Sequence, residues 1–173
     1  MSNEGKLMCT EEDIKLRVGV LAGQISNDYK DLNPVIVTVL RGAVYFMVDL
    51  TRKLTIPHKI DFLGISSYGP HAKTGVVKIT KDLDIDIHDE HVLIIEDIVD
   101  TGLTLHYLIR TMKERGPASV KVCAFLDRVT HRIADLHIDY RGFEVSESFV
   151  VGYGLDSNEE YRNLNYVIAL DES

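Results

Sequence analysis

The sequence predicts a single α/β domain with a parallel, twisted sheet flanked by helices, and three observations support that fold class. Apolar runs at residues 34–40 and 92–95 show no inside/outside alternation and are rich in β-branched residues, which is typical of strands covered on both faces. Helical periodicity follows each of these strands, as in a doubly wound, Rossmann-like core. With 173 residues and 45% hydrophobic content, the chain can fill one substantial core.

The first expected element is a helix. Thr10 is a suitable N-cap, three acidic residues follow it, and apolar side chains recur at helical spacing to about Tyr29. The strand at 34–40 comes next, and a helical segment follows it over about residues 43–54. This order predicts one helix before the first buried strand and one helix after it.

A further strand is expected at residues 59–68. It runs into a polar segment marked by Gly and Pro, which we interpret as a flexible loop at about residues 66–76. Residues 76–87 alternate well enough for an antiparallel strand or hairpin arm, on which three acids would share one face: Asp82, Asp84 and Asp86. A metal site is conceivable there, but a solvated edge strand is the preferred interpretation.

The second half repeats the strand and helix pattern. A strand begins at Val92, a helix spans about residues 102–115 and stops at a Gly-Pro pair, and a strand follows at 120–126. These elements place the core at about residues 10–139. The tail contains short strands, glycines and acids, so we expect a small hood subdomain, formed mainly by about residues 140–173, over the strand ends.

Composition excludes several classes of function. The net charge of −8 opposes binding to nucleic acid or to an anionic membrane. No apolar run could span a bilayer and the start is too polar for a secretory signal, so a soluble cytoplasmic protein is expected. Cys9 and Cys123 lack CxxC spacing and the seven His are scattered, so neither a zinc site nor a disulfide framework is indicated.

The most informative segment is 92–104, which joins a buried strand, adjacent carboxylates and a turn into a helix. Glu96 and Asp97 lie near the carboxyl end of the strand, where α/β sheets bind ligands. Two adjacent carboxylates need a divalent cation or ribose hydroxyls to compensate them. The turn offers backbone amides and hydroxyls to a phosphate at a helix N-terminus, through Asp100, Thr101, Gly102 and Thr104. The segment therefore suits a metal-bound sugar phosphate.

An acidic helix cap after a core strand is the simpler alternative for these carboxylates. If the ligand is instead a phosphate ester, a chain of net charge −8 must concentrate cations locally. Four arginines are candidates for that role: Arg41, Arg128, Arg132 and Arg162.

Motifs along nearly all of the chain resemble the purine phosphoribosyltransferases of the hypoxanthine-guanine type. The window 92–105 is similar to that family's signature for 5-phosphoribosyl 1-diphosphate. Four further matches follow the family's order, at residues 40–42, 67–68, 149–156 and 161–164. Chance similarity does not explain so many ordered motifs.

The resemblance implies a type I phosphoribosyltransferase fold and a salvage reaction. The enzyme would transfer the 5-phosphoribosyl group from 5-phosphoribosyl 1-diphosphate to a 6-oxopurine, hypoxanthine and also guanine, forming IMP or GMP and diphosphate. Mg²⁺ is the implied cofactor, the implied partners are small-molecule substrates, and the implied assembly is a homodimer or homotetramer.

The resemblance also assigns residues to three subsites. The phosphoribosyl group and its 5′-phosphate would be bound by Glu96, Asp97, Asp100, Thr101, Gly102, Leu103 and Thr104. The diphosphate would be bound by Arg41, Gly42 and Arg162, and the purine by Arg128, Phe149, Val150 and Asp156. Ser67 and Tyr68 would form the tip of a loop that closes over the reaction centre and excludes water.

Within these subsites, the family match makes Asp100 the general base or acid at the purine imidazole ring. Phe149 would stack on the purine, and the backbone of Val150 would read its edge. Three acids would hold Mg²⁺: Glu96, Asp97 and Asp156. For Arg162, a surface ion pair remains the alternative to diphosphate binding.

One position departs from the family pattern. Where the family usually has a lysine that donates to the purine 6-keto oxygen, this chain has Arg128. Arginine is longer and planar, so it could reach the keto group or pair with Asp127 or Asp156. Arg132 is a possible supporting neighbour. The choice among hypoxanthine, guanine and xanthine stays open at this point.

Three other functions compete with this one. A xanthine-preferring transferase would use the same site. A phosphoribosyltransferase-like regulator that senses nucleotides would keep the fold, although the acidic balance disfavours an RNA partner. A phosphatase or receiver domain would also place an acid at a strand end, but Asp97 and Asp100 are three residues apart where the haloacid dehalogenase-type pattern has acids two apart.

Overall fold

The structure is a computed structural model that describes residues 5–67, 77–146 and 149–170. Its strands and helices, in chain order, are β1 (Gly5–Cys9), α1 (Glu11–Asp28), β2 (Val35–Leu40), α2 (Ala43–Thr51), β3 (Lys59–Ser67), β4 (Val77–Lys81), β5 (His91–Val99), α3 (Leu103–Lys113), β6 (Ser119–Asp127), β7 (Tyr140–Glu144), β8 (Val150–Val151) and β9 (Val167–Leu170). A short 3₁₀ helix, Val129–His131, follows β6.

Six strands form the central sheet, in the order β4-β3-β2-β5-β6-β7. The five strands β3, β2, β5, β6 and β7 run parallel to their neighbours in that order, and β4 pairs with β3 in the antiparallel direction at one edge. The predicted parallel α/β class is therefore confirmed, and so is the antiparallel arm after β3. All five parallel strands point their carboxyl ends toward the same edge, which is where ligands bind in such sheets.

The central strand β5 is covered on both faces, as its continuous apolar run predicts. Leu93 and Ile95 pack into the core cluster that contains α1 and α2. Val92 and Ile94 pack into the opposite cluster, which contains the buried side of α3. Since successive strand residues point to opposite faces, both clusters hold β5 in one register.

Both N-terminal helices form where the sequence predicts them. Thr10 caps α1 by accepting a hydrogen bond from the Asp13 N–H at 3.1 Å, and the Asp13 carboxylate accepts one from the Thr10 N–H at 2.9 Å. This reciprocal capping box explains the sharp start of α1. The helix α2 ends at Thr51, three residues before its predicted end, because the N–H groups of Lys53 and Leu54 bond three residues back in tighter turns.

A second, three-stranded sheet in the order β1-β9-β8 forms the hood. The predicted hood boundary near residue 140 is corrected, because β7 pairs with β6 in the central sheet and β1 joins the hood. Strand β7 is only five residues long and includes Arg141 and Glu144, so it carries little of the apolar signal that marks a core strand. Its position depends on pairing with β6.

The three aspartates after β4 do not share a strand face, which corrects that expectation. Strand β4 ends at Lys81, and the N–H groups of Asp84 and Ile85 instead donate to the buried carboxylate of Asp61, each at 2.8 Å. Asp82 forms an ion pair with Arg115 at 2.8 Å. Within the described ranges, no group of three or more His, Cys, Asp or Glu side chains is placed to hold a metal ion.

Most of the predicted loop at 66–76 falls on residues 68–76, outside the described residues, and Tyr68 is among these. The backbone of Ser67 ends β3 and pairs with Val77. In the described part of the chain, no helix has the length and apolarity needed to cross a membrane.

Candidate active site

A cleft of about 270 Å³ lies at the carboxyl end of β5. It is lined by Ile65, Glu96, Asp97, Ile98, Val99, Asp100, Thr101, Gly102, Thr104 and Leu105. A larger groove of about 710 Å³ runs along the exposed side of α1, but it gathers none of the predicted site residues. The chemistry-bearing residues therefore locate the candidate site in the smaller cleft.

Glu96 and Asp97 bring two carboxylates to this cleft from successive positions of β5. Glu96 is 9% exposed, and its Oε2 has no hydrogen-bond partner among the described residues. Burial, and secondly repulsion from Asp97, raises the pKa of Glu96 well above its ordinary value. Burial also raises the pKa of Asp97, against the opposing effects of the Ile98 N–H, bonded at 2.7 Å, and of Arg162. This uncompensated charge favours a cation or hydroxyl donors in the cleft.

The raised pKa of Glu96 predicts a pH-dependent stability effect. Between the ordinary value near 4.5 and the raised native value, the native state binds more protons than the unfolded state, so this group lowers stability as pH rises through that window. Each pKa unit corresponds to about 1.4 kcal/mol. We therefore expect Glu96→Gln, without ligands, to raise the Tm by about 2–4 °C at pH 8, with a smaller gain at pH 5, in thermal unfolding experiments.

The matched control for this effect is Glu160→Gln, because Glu160 is exposed. We expect it to shift the Tm by less than about 1 °C at either pH, as surface substitutions usually do. A Glu96→Gln protein that is less stable than the parent at pH 8, or whose gain is the same at both values, would contradict the assigned burial cost.

The turn after β5 leads into helix α3 through a glycine. Gly102 has φ +78°, and a Cβ there would lie 2.8 Å from both Arg132 Cδ and Leu136 Cδ2, so only glycine fits. The first helical hydrogen bond runs from the His106 N–H to the Gly102 carbonyl at 2.8 Å. The amides at 103–105 precede that bond and have no helical carbonyl of their own, and the Leu103 N–H donates to Thr101 Oγ1 at 3.4 Å. N–H groups at such a position can donate to an anion.

Asp100 is held on both of its carboxylate oxygens. Arg128 Nη1 lies 3.5 Å from Oδ2, and His131 Nδ1 lies 3.1 Å from Oδ1. The Arg128 residue is 9% exposed, and its Nε has no partner in the described part of the chain. Arg128 thus pairs with neither Asp127 nor Asp156, the two partners considered from sequence. Its contact with Asp100 joins the predicted purine and proton-transfer residues in one group.

Arg132 belongs to the core rather than to the cleft. Its guanidinium pairs with the fully buried carboxylate of Asp127, which also pairs with Arg141 Nε at 2.7 Å. These two arginines neutralise Asp127, so Arg128 is left for Asp100. The role of Arg132 is therefore to compensate a buried charge beneath the site.

The loop after β2 packs against Asp97. The Leu40–Arg41 peptide bond is cis. A Cβ on Gly42 would lie 1.8 Å from Asp97 Oδ2, and one on Gly154 would lie 2.1 Å from the Gly42 carbonyl oxygen. The backbone at residues 41–42 therefore approaches a site carboxylate and the hood more closely than any side chain would allow.

Arg162 and Arg41 converge on one carboxylate. Glu159 lies 3.0 Å from Arg41 Nη2 through Oε1 and 3.2 Å from Arg162 Nη2 through Oε2. Arg162 also pairs with Asp156 at 2.8 Å and donates to the Gly154 carbonyl at 2.7 Å. The two arginines assigned to diphosphate thus already bracket an anionic group, and a diphosphate would compete with Glu159 for them.

Phe149 directly precedes the hood strand β8, which contains Val150, and neither residue lines the cleft. Phe149 is 40% exposed, and its carbonyl accepts a hydrogen bond from the Leu170 N–H at 3.0 Å. Val150 is buried in β8, one of the two outer strands of the hood sheet. A partly exposed ring is available for stacking, and an outer strand has one row of backbone groups that does not pair within its sheet.

Sequence reasoning missed two contacts at this site, those of His131 and Glu159. In the sequence His131 is one of seven scattered histidines, but it lies three residues after Arg128, a spacing that one 3₁₀ turn brings onto the same face. Glu159 lies three residues before Arg162, and that spacing was the available signal. Neither pattern is specific without the fold.

Comparisons with known proteins agree with this arrangement. A family model described as phosphoribosyl transferase domain matches residues 10–158. The hypoxanthine-guanine phosphoribosyltransferase of Mycobacterium tuberculosis (strain ATCC 25618 / H37Rv) is 45% identical over 172 residues, covering 95% of this chain and 85% of that protein. The hypoxanthine-guanine-xanthine phosphoribosyltransferase of Tritrichomonas foetus is 40% identical over 174 residues, covering 100% of this chain and 95% of that protein.

A solved structure is similarly close. A hypoxanthine-guanine phosphoribosyltransferase from Bacillus anthracis, crystallised with a HEPES molecule in its active site, superposes with a TM-score of 0.93 at 39% identity. The match covers 97% of this chain and 100% of that chain. The likeness therefore extends over the central sheet and the hood together.

Proposed function

Because this chain belongs to the phosphoribosyltransferase family, we propose that it transfers the 5-phosphoribosyl group of 5-phosphoribosyl 1-diphosphate to hypoxanthine and guanine. The products are IMP or GMP and diphosphate, and the enzyme is a pentosyltransferase of purine salvage. One observation carries the assignment of the site: adjacent carboxylates, an uncapped helix start and the Asp100 and Arg128 pair meet at one cleft. No observation favours the nucleotide-sensing regulator.

The cleft suits the phosphoribosyl donor. The amides at 103–105 would bind the 5′-phosphate, and Glu96 and Asp97 would accept hydrogen bonds from the ribose hydroxyls. Glu96 Oε2, which has no hydrogen-bond partner among the residues that the structure describes, fits Mg²⁺. Proteins often bind this ion through one or two carboxylates together with substrate phosphate oxygens. Asp156 is the further carboxylate proposed on the diphosphate side. When bound, the metal would neutralise charge on the diphosphate.

The residues of the chain would divide the reaction between them. As one imidazole nitrogen of the purine attacks C1′ of the ribose, the other must lose its proton, and Asp100 would accept it. The bond between C1′ and the diphosphate oxygen breaks, and its electron pair leaves with the diphosphate. The amides near Arg41 and Gly42, together with Arg162, would stabilise that leaving group, displacing Glu159 from the two arginines.

The contact between Asp100 and Arg128 supports recognition of a 6-oxopurine. The N7 and O6 atoms lie side by side on one edge of such a base, and arginine is a common donor to that edge. Arg128 Nη1 and Asp100 Oδ2 are 3.5 Å apart, so Arg128 would donate to O6 while Asp100 accepts the N7 proton. Phe149 would stack on the ring, and stacking tolerates any purine, so the hydrogen bonds must select.

Nucleotide formation from four bases tests this proposal. With the donor and Mg²⁺, we expect hypoxanthine and guanine to react. Adenine should react at least about 10²-fold more slowly, because its 6-amino group is a hydrogen-bond donor and cannot pair with the N–H donors of Arg128. Xanthine also has the 6-keto group, and a higher rate with xanthine than with hypoxanthine or guanine would support the xanthine-preferring alternative. Arg128→Lys should lower kcat/KM about tenfold while the order of the bases is kept. Equal use of adenine, or nucleotide from none of the four, would refute the assignment.

The proposed partners are these small molecules. By analogy with the family we further propose a homodimer or homotetramer in the cytoplasm. Light scattering of the purified chain measures the assembly directly.

A further inference from the structure

The 3₁₀ helix Val129–His131 brings a histidine to the proposed catalytic carboxylate. His131 Nδ1 lies 3.1 Å from Asp100 Oδ1, while Arg128 Nη1 lies 3.5 Å from Oδ2. The two nitrogens therefore engage different oxygens of one carboxylate. A carboxylate that is to accept a proton can only accept hydrogen bonds, so in this geometry the partner that donates is the Nδ1–H tautomer of the imidazole.

The segment that carries His131 is docked onto the same turn as Asp100. The N–H groups of Ile133 and Ala134 both donate to the Thr101 carbonyl, at 2.9 and 3.0 Å, and the His131 N–H donates to the Arg128 carbonyl at 3.1 Å. These backbone bonds fix the imidazole relative to the residue after Asp100. The side-chain contact is thus set by two anchored backbones rather than by two free side chains.

We propose that His131 is a positioning residue for the transfer reaction. By holding Oδ1, it stops the carboxylate from rotating about its soft terminal torsion and directs Oδ2 toward Arg128 and the purine. A base oriented by a third group is a recurrent arrangement in enzymes. The inference rests on the proposed role of Asp100 as the proton acceptor.

The exposure of the pair separates this role from a structural one. The side chains of His131 and Asp100 are 43% and 46% exposed, and exposed ion pairs add little to stability. Loss of the imidazole should therefore leave the fold intact and change the reaction. His88 and Asp89 supply a matched surface pair, with 3.0 Å between Nδ1 and Oδ2 and side chains 66% and 85% exposed, outside the cleft.

The test compares His131→Leu, His131→Asn and His88→Leu in steady-state nucleotide formation. We expect His131→Leu to lower kcat about tenfold, because misplacement of a reacting group costs rate, and to leave both KM values within about twofold. His131→Asn keeps a short side-chain N–H donor, so it should recover most of kcat. His88→Leu should match the parent enzyme, and thermal melts should show all three variants folded.

A double-mutant cycle completes the test. If His131 acts through Asp100, His131→Leu should have no further effect in an Asp100→Asn background. Additive losses, a change in KM alone, parental kcat in His131→Leu, or equal losses in the Leu and Asn variants would each overturn the inference. A parental kcat in Asp100→Asn would instead refute the proposed base, so the two failures are distinguishable.

Discussion

Replacement of Asp100 by asparagine should lower kcat for nucleotide formation by about 10³-fold, within the range that a positioned proton acceptor contributes. The side chains have the same shape, so His131 and Arg128 can remain in place, but the amide cannot accept the purine proton. Binding of the donor should change little, because the phosphate would be held by backbone amides at 103–105. Steady-state kinetics with hypoxanthine measure kcat and both KM values.

Asp89→Asn is the control for this change, since Asp89 is exposed and lies outside the cleft. It should leave kcat and both KM values as they are. If Asp100→Asn lowered the affinity for the donor as much as it lowered kcat, Asp100 would be a binding residue and not the proton acceptor.

Gly42→Ala should reduce kcat/KM by at least about 10²-fold. The new Cβ would lie 1.8 Å from Asp97 Oδ2 and 3.0 Å from the Gly154 carbonyl oxygen, so Asp97, the loop or the hood must move. A shift of about 1 Å at a reacting centre has an effect of this size. Gly42 has φ −61° and ψ −40°, which any residue adopts, so the effect is steric and not conformational.

Gly23→Ala is the matched control, because a Cβ at Gly23 meets nothing within 4 Å and the residue lies on the exposed side of α1. It should raise the free energy of unfolding by about 0.5–1 kcal/mol through helix propensity and leave kcat/KM unchanged. A Gly42→Ala enzyme as active as the parent would show that the loop and Asp97 do not need this close approach.

Much of the fold follows from local patterns. The apolar run of β5 predicts burial on both faces, Thr10 and Asp13 predict a capped helix, and the acids followed by Thr101 and Gly102 predict an anion site at a strand end. These signals are complete within a few residues, because strand burial, capping and turn chemistry each depend on neighbours along the chain. The structure forms the buried strand, the capped helix and the turn into α3 where the sequence predicts them, and anion binding at that turn stays a prediction.

Other predictions failed because a distant partner decides them. For Arg128, pairing with Asp127 was one of the alternatives open from the sequence, and it does not occur because Asp127 is already paired with Arg132 and Arg141. The segment after β4 does not continue as a strand, because its backbone N–H groups donate to the buried Asp61 carboxylate. Residues 140–144 join the central sheet through pairing with β6. Ion pairs and strand pairs between residues that are far apart in the chain produce no periodic pattern in the local sequence.

By itself the sequence determined a parallel α/β core, a strand end that carries adjacent carboxylates and a glycine turn into a helix, since each is a short-range pattern of burial, charge or backbone freedom. Only the tertiary structure decided that His131 and Arg128 grip opposite oxygens of Asp100, that Glu159 spans Arg41 and Arg162, and that the backbone of Gly42 abuts Asp97. The physical reason is that these contacts, apart from Glu159 with Arg162, join residues 28 to 118 positions apart in the sequence. They form only once the sheet and the hood have packed.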